Sequence, residues 1–383
     1  TLESIQSPGD DYESSITVVH VWNSTHNIFA MMKEAWNQTI AIYYNQQGSL
    51  AAAFIMCMSP IVFSLTAYRV VMFIFALFFL FAACYFVNSF LVKRFKMDKH
   101  YSFFIFCLFV FTAIYFNMNS EELLYWFNGS SYYFLTFSVF LIFVSLLNEL
   151  CLENSKTDII RTILLCLMAI FIALNNLAMS IMCLVTLFFA LIYSLRSKEK
   201  ASKEIVIVLA VFSGFLLVNL LAPGYRVKIS TLDTEMGTEQ IGAVSTMIQS
   251  FELSLKELVK IYLKLSPLPI VMLLSTPILI VALRISNFKG YKPVLIAAAT
   301  LLIYIAQYPP IVMVYGQRFL PRITNIRFLT AQIWFILNYI NVAASIINTK
   351  IYDRFGFNEK NKARLLYGVL VVFAFLNIGL IAK

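Results

Sequence analysis

The chain has 383 residues, of which 60% are hydrophobic and only 13% charged. A soluble domain carries about 25% charged residues, so that class is excluded and an all-α polytopic membrane protein is expected. The net charge of +9 falls in short clusters between apolar runs, which argues against a nucleic-acid partner and for membrane topology.

In chain order, residues 1–47 come first and carry two adjacent acids, Asp10 and Asp11, in "SPGDDYESS" (7–15). The run 49–66 is just long enough to cross a bilayer, but Pro60 and two serines interrupt it and Arg69 follows closely. Ten stronger runs follow, over 68–92, 101–118, 132–150, 158–174, 177–195, 204–222, 266–284, 292–308, 329–348 and 365–382. Between them lie five basic clusters: "KRFKMDK" (93–99), Lys156 with Arg161, "RSKEKASK" (196–203), "RISNFKGYK" (284–292) and "KIYDRFGFNEKNKAR" (350–364). Lys and Arg collect on the cytoplasmic side of short loops. All five clusters share that side if 49–66 lies along the interface instead of spanning. Residues 1–67 are therefore expected as an outer loop with interfacial helices, and 68–383 as a bundle of about ten spans. A further span is expected ahead of Thr1. The six cysteines lie in or at the ends of apolar segments, without metal-site spacing, and read as small buried hydrophobes.

This direction places four further segments outside: "NSEELLYWFNGSSYY" (119–133), Asn175–Asn176, 223–265 and 308–327. Arginine there runs against the topological bias, so Arg226, Arg318, Arg322 and Arg327 invite another reason. Arg binds phosphate bidentately, although such residues also serve as snorkelling anchors. Within 223–265, residues 239–264 repeat Ile241, Val244, Ile248, Phe251, Leu255, Leu258, Val259 and Tyr262 at helical spacing, with lysines on another face. That pattern suits a helix on the membrane surface, either packed there or acting as a lid. The acidic pair reads as a general base or substrate contact, or else as a turn or helix cap. Glu121 and Glu122 follow Ser120 and fit a capped helix start or an acceptor-sugar contact. Tyr12, Tyr125, Trp126 and Tyr133 can stack on sugars, or belong to the interfacial aromatic belt. His20 and His26 are not spaced as ligands on one helical face.

A carboxylate beside the membrane surface, with arginines from other loops, suits one reaction. The leaving group of a lipid-linked sugar phosphate is anionic, and Arg stabilises that charge as it develops. "GDDY" in the first outer loop, "YWFNGSSYY" at the start of a later span, "LAPGYR" ending a span and the outer arginines resemble GT-C-type glycosyltransferases, closest to bacterial multi-pass members. The resemblance implies a GT-C-like helical bundle in the plasma membrane with an extracytoplasmic active face. It implies an inverting enzyme using polyprenyl-phosphate-linked sugar donors and a glycan acceptor, within membrane lipids. Carried over, Asp10 or Asp11 would be the base and Arg226 a phosphate contact, while Tyr125, Trp126, Asn128, Gly129 and Tyr133 would shape the pocket. Two departures stand out. Tyr225 occupies a position where the family's third motif has Asn, with Arg226 directly after it. Asn175 and Asn176 stand where an acidic residue is expected, so a divalent metal stays open as a cofactor but is unsupported by these residues. The rival reading is a polysaccharide polymerase, or a flippase or transporter for lipid-linked glycans. A transporter would place charges at mid-membrane and show repeat symmetry, and neither is evident.

Overall fold

The structure is a computed structural model and describes residues 9–117, 120–152, 159–197, 201–236, 242–261, 268–286, 293–315 and 321–347. Every regular element among them is helical: α1 (Gly9–Thr25), α2 (Ile28–Asn45), α3 (Leu50–Cys57), α4 (Leu65–Val87), α5 (Lys99–Tyr115), α6 (Ser120–Leu124), α7 (Phe127–Gly129), α8 (Thr136–Leu152), α9 (Ile159–Ala173), α10 (Leu177–Ser197), α11 (Ser202–Leu220), α12 (Gly224–Met236), α13 (Ala243–Lys260), α14 (Leu268–Leu274), α15 (Thr276–Ser286), α16 (Pro293–Ile305), α17 (Tyr308–Tyr315) and α18 (Pro321–Ile347). Wider π-helical turns over Asn88–Arg94 and Ser130–Leu135 prolong α4 and join α7 to α8.

Six helical stretches among the described residues are long and apolar enough to cross a membrane: Leu65–Arg94, Phe127–Leu152, Leu177–Arg196, Ser202–Leu220, Val294–Val314 and Thr324–Ser345. The chain is a multi-pass membrane protein. Three of the ten expected runs are shorter or broken among the described residues. The runs 101–118 and 158–174 became Lys99–Tyr115 and Ile159–Ala173, with 17 and 15 residues. At about 1.5 Å per residue these are shorter than the six long stretches, near the low end of the roughly 17–25 residues that cross a bilayer core. The run 266–284 breaks into α14 and α15 at Ser275, whose hydroxyl turns back to the Met272 carbonyl. The run 365–382 lies outside the described residues. The ambiguous run 49–66 breaks as its Pro60 requires, with α3 giving way at Met58 to a single 3₁₀ turn, Pro60–Val62.

The chain divides into two compact units. The first comprises Thr1–Phe86, Met118–Lys256 and Leu302–Arg327, so the expected outer layer 1–67 falls within it. Here α1 and α2 form a hairpin. Its turn is set by His26, in the left-handed region at φ 47°, and by Asn27, whose side chain caps α2 through the Phe29 and Ala30 amides. Val18, Met31, Ala35, Cys57 and Val62 form the core beneath the hairpin, with Trp22 edge-on to Phe63 at 5.0 Å. Backbone contacts tie this layer to the bundle: the Ala51 amide donates to the Leu174 carbonyl at 2.9 Å, and the Tyr43 hydroxyl to the Val218 carbonyl at 2.9 Å.

The second unit comprises Val87–Asn117, Glu257–Leu301 and Phe328–Lys383. Polar side chains pair between its helices, as expected where a lone polar group would face hydrocarbon. Thr112 lies 2.6 Å from Gln332, Asn338 donates to Thr300 at 2.8 Å, and the hydroxyls of Thr276 and Tyr339 pair.

Helix α13 is the amphipathic segment expected at 239–264, and its orientation is informative. Val244, Ile248 and Phe251 are exposed, whereas Thr246, Ser250 and Ser254 are buried and bond to backbone carbonyls within the helix or just before it. The apolar side chains of its first half are thus exposed, as suits a helix at a membrane surface, and the hydroxyl face turns inward.

Candidate functional site

The acidic pair occupies the first turn of α1. Asp11 is fully buried. The Tyr68 hydroxyl donates to its Oδ2 at 2.6 Å, and the Phe127 and Asn128 amides approach Oδ2 and Oδ1 at 3.2 and 3.0 Å. The single Tyr68 proton has a second acceptor, the Tyr125 carbonyl at 3.0 Å, but the shorter, charge-assisted bond to carboxylate is the stronger. Phe127 and Asn128 begin the long helix Phe127–Leu152, and the residue before them, Trp126, offers no side-chain cap. A helix start leaves amides without internal partners and carries partial positive charge. Asp11 supplies the missing cap from more than a hundred residues away. The Asn128 side chain completes the joint by donating to Ser14 at 3.0 Å.

"GDDY" and "YWFNGSSYY", separate motifs in the sequence, therefore meet. Gly129 has a steric role there: a Cβ would lie 2.5 Å from the Trp126 ring and 2.7 Å from the Glu122 carbonyl oxygen. Tyr12 and Tyr125 are largely exposed. The side chains of Asp10 and Glu121 lie outside the described residues.

One π turn further along, the first unit contains a half-open cavity of about 60 Å³. Adjacent Tyr132 and Tyr133 both reach it, edge to face at 4.9 Å. Asn176, Tyr225, Lys228, Gln47 and Gln307 add polar walls. Each is held in place by its surroundings. Asn176 caps α10 through the Ala178 and Met179 amides. Tyr225 donates to Asn219 at 2.9 Å, and Asn219 bonds the carbonyls of Ala173 and Asn175. Gln307 donates to the Tyr304 carbonyl at 2.9 Å. Lys228 lies 3.5 Å from Gln47. Beside the lining residue Ile326, buried Arg327 stacks over the Tyr308 ring at 5.6 Å. Two glycines let α2 come close enough to form this wall: a Cβ on Gly224 would lie 2.6 Å from the Gln46 amide nitrogen, and one on Gly48 would strike the Asn219 carbonyl.

Four candidate spans contribute one end each to the cavity: the starts of Phe127–Leu152, Leu177–Arg196 and Thr324–Ser345, and the finish of Val294–Val314. None of the lining residues is acidic.

Of the residues singled out from sequence, the cavity takes in Tyr133, whereas Asp11, Gly129 and Asn128 belong to the capped joint. Arg226 is exposed and does not line the cavity. Arg318 and the side chain of Arg322 lie outside the described residues. Sequence reasoning passed over Gln47, Gln307, Lys228 and Tyr68. Lys228 was legible in "APGYRVK": if α12 begins at the glycine, Tyr225 and Lys228 are three apart and share a helical face. No three His, Cys, Asp or Glu among the described residues are grouped to hold a metal. A scan of protein-family models and searches of curated proteins and of solved structures found no match to the chain.

Proposed function

We propose that the protein is a glycosyltransferase that moves a sugar from a polyprenyl-phosphate carrier to a cell-surface or lipid-linked glycan at the extracytoplasmic face of the plasma membrane. The observation that carries this reading is the cavity at the shared ends of four spans, basic at Lys228 and free of acidic lining residues. The count of basic loops assigns those ends to the side opposite the Lys and Arg clusters. A lipid-borne phosphate resting at that depth would meet Lys228, with the Arg327 charge behind the wall, and tyrosines for the sugar. Asp11 serves this site as architecture, because its carboxylate is occupied by Tyr68 and two amides.

The test is transfer of radiolabelled sugar from synthetic polyprenyl-phosphate donors to extracted glycan by purified protein in vesicles. Transfer that falls at least tenfold in Lys228→Ala supports the reading, and no transfer from any donor sinks it. The acid-free lining also favours a second reading, a flippase for lipid-linked glycan. Movement of intact glycolipid between leaflets without transfer would select it.

A further inference from the structure

We propose that α2 lies flat on the outer leaflet of the membrane with one face dipped into lipid, an inference that stands apart from the glycosyltransferase reading. The helix has two apolar faces, and packing within the protein accounts for only one of them. Met31, Ala35 and Thr39 are buried, the first two in the hairpin core. Phe29, Met32 and Trp36 recur at helical spacing on another face, where they stay 79%, 42% and 50% exposed. Half-buried Ile40 and exposed Tyr44 continue that stripe for two more turns. A run of large apolar groups left open on a folded protein marks a surface that something covers.

The two ends of α2 fix what covers it. At the hairpin tip, Trp22 stands edge-on to His26 at 5.6 Å and to Phe63 at 5.0 Å. Phe63 and Leu65, at the start of the span Leu65–Arg94, are themselves exposed. At the other end, the Tyr43 hydroxyl donates to the Val218 carbonyl at 2.9 Å, in the last turn of the span Ser202–Leu220. Leu217 and Leu221 beside it are exposed as well. The basic clusters 93–99 and 196–203 flank the opposite ends of both spans, so these two anchor points share the outer face. Helix α2, about 27 Å long at 1.5 Å per residue, therefore runs between two places of equal depth and lies along the surface.

Its composition suits that depth. Trp and Tyr favour the membrane interface. Exposed Lys33 borders the stripe, within reach of a lipid phosphate. Glu34, the one acidic residue of the helix, lies off the stripe, where Asn37 and Gln38 donate to it at 3.3 and 3.0 Å. Gln47 comes two residues after the end of α2, so the cavity wall it contributes is held at headgroup depth.

The experiment measures tryptophan emission of the whole protein in lipid nanodiscs, with Trp36 read as the difference between wild type and Trp36→Phe. Lipids brominated high on the acyl chain should remove roughly half or more of the Trp36 signal, as expected for an indole about 5–10 Å into the headgroup boundary. Acrylamide in the water should leave most of that signal. Asn37→Trp, on the polar flank in the Trp36→Phe background, should show the reverse. Phe29→Trp, read as the gain over wild type, repeats the lipid measurement with Trp36 in place, so the readout survives if Trp36→Phe fails to fold. Acrylamide quenching without bromolipid quenching at positions 29 and 36 overturns the proposal, because the stripe then faces water. Protection from both quenchers overturns it in favour of a protein cover, a second copy of the chain or another partner. Equal bromolipid quenching at positions 36 and 37 also overturns it, since a helix lying flat keeps one side wet.

Discussion

Replacing Asp11 by Ala removes the cap that joins α1 to the Phe127–Leu152 helix, and the geometry sets the size of the effect. The Asn128 amide loses a carboxylate partner at 3.0 Å and is left buried. The Phe127 amide keeps the Tyr68 hydroxyl at 3.0 Å, so its loss is partial. Tyr68 turns its proton to the Tyr125 carbonyl, which is also 3.0 Å away. One buried amide left unsatisfied costs about 1–3 kcal/mol, and the lost charge-assisted bond from Tyr68 adds about 1–2 kcal/mol. The sum is about 2–5 kcal/mol. At about 2–4 °C per kcal/mol for a large domain, the melting temperature of detergent-solubilised protein should fall on the order of 10 °C. Asp11→Asn should fall about half as far, because its carbonyl can still accept from Asn128 while its NH₂ can donate to Tyr68. Tyr68→Phe in the Asp11→Ala background should add less than it does alone, since the two share one bond. An Asp11→Ala protein that melts within 1 °C of wild type would refute the capping role. So would full additivity in the double variant.

Other consequences are checked by similar means. Gly48→Ala and Gly224→Ala should each destabilise the first unit by about 1–3 kcal/mol, because backbone stands where the methyl must go. Gly214→Ala, with nothing within 4 Å of the new methyl, should be neutral or favourable by up to about 1 kcal/mol in the same melting assay. Lys228→Ala should weaken binding of a fluorescent polyprenyl phosphate by roughly 10–100-fold, the worth of one charge-assisted bond, while exposed Arg226→Ala should change it less than threefold. Burial pushes the Cys57 thiol up to about 11 from its ordinary 9.0, outweighing the Thr39 hydrogen bond that lowers it. It should therefore resist maleimide at pH 7.5 until the protein unfolds. Because the raised value favours the protonated folded state, its contribution to stability should be intact below pH 9 and lost as pH rises through about 11.

The helices themselves were largely readable in the sequence, because their causes are local. Length and apolarity mark the six long spans, Pro60 forbids a continuous 49–66 helix, and 239–264 shows its amphipathic period without help from any neighbour. Apolar length alone bounded the shorter elements poorly. The break at Ser275 was announced by Pro277, which has no amide to donate and disfavours helix in the residue before it, and a reading by apolar run alone passed over it.

What only the tertiary structure decided is the work each polar residue performs. "SPGDDYESS" is compatible with a base, a turn or a cap. The choice for Asp11 depends on amides more than a hundred residues away that lack a cap of their own. Arg226 and Lys228 are equivalent as charges in a string of letters, but the pitch of α12 turns one outward and the other into the cavity. Helix α13 shows the same division. The apolar stripe was visible in its residues, yet only packing revealed that the hydroxyl face turns inward, a preference that reverses when the solvent is lipid. Hydrophobic periodicity is a property of neighbours along the chain, and it was set by sequence alone. The pairing of a buried carboxylate with donors is a property of neighbours in space, and it came into being only with the fold.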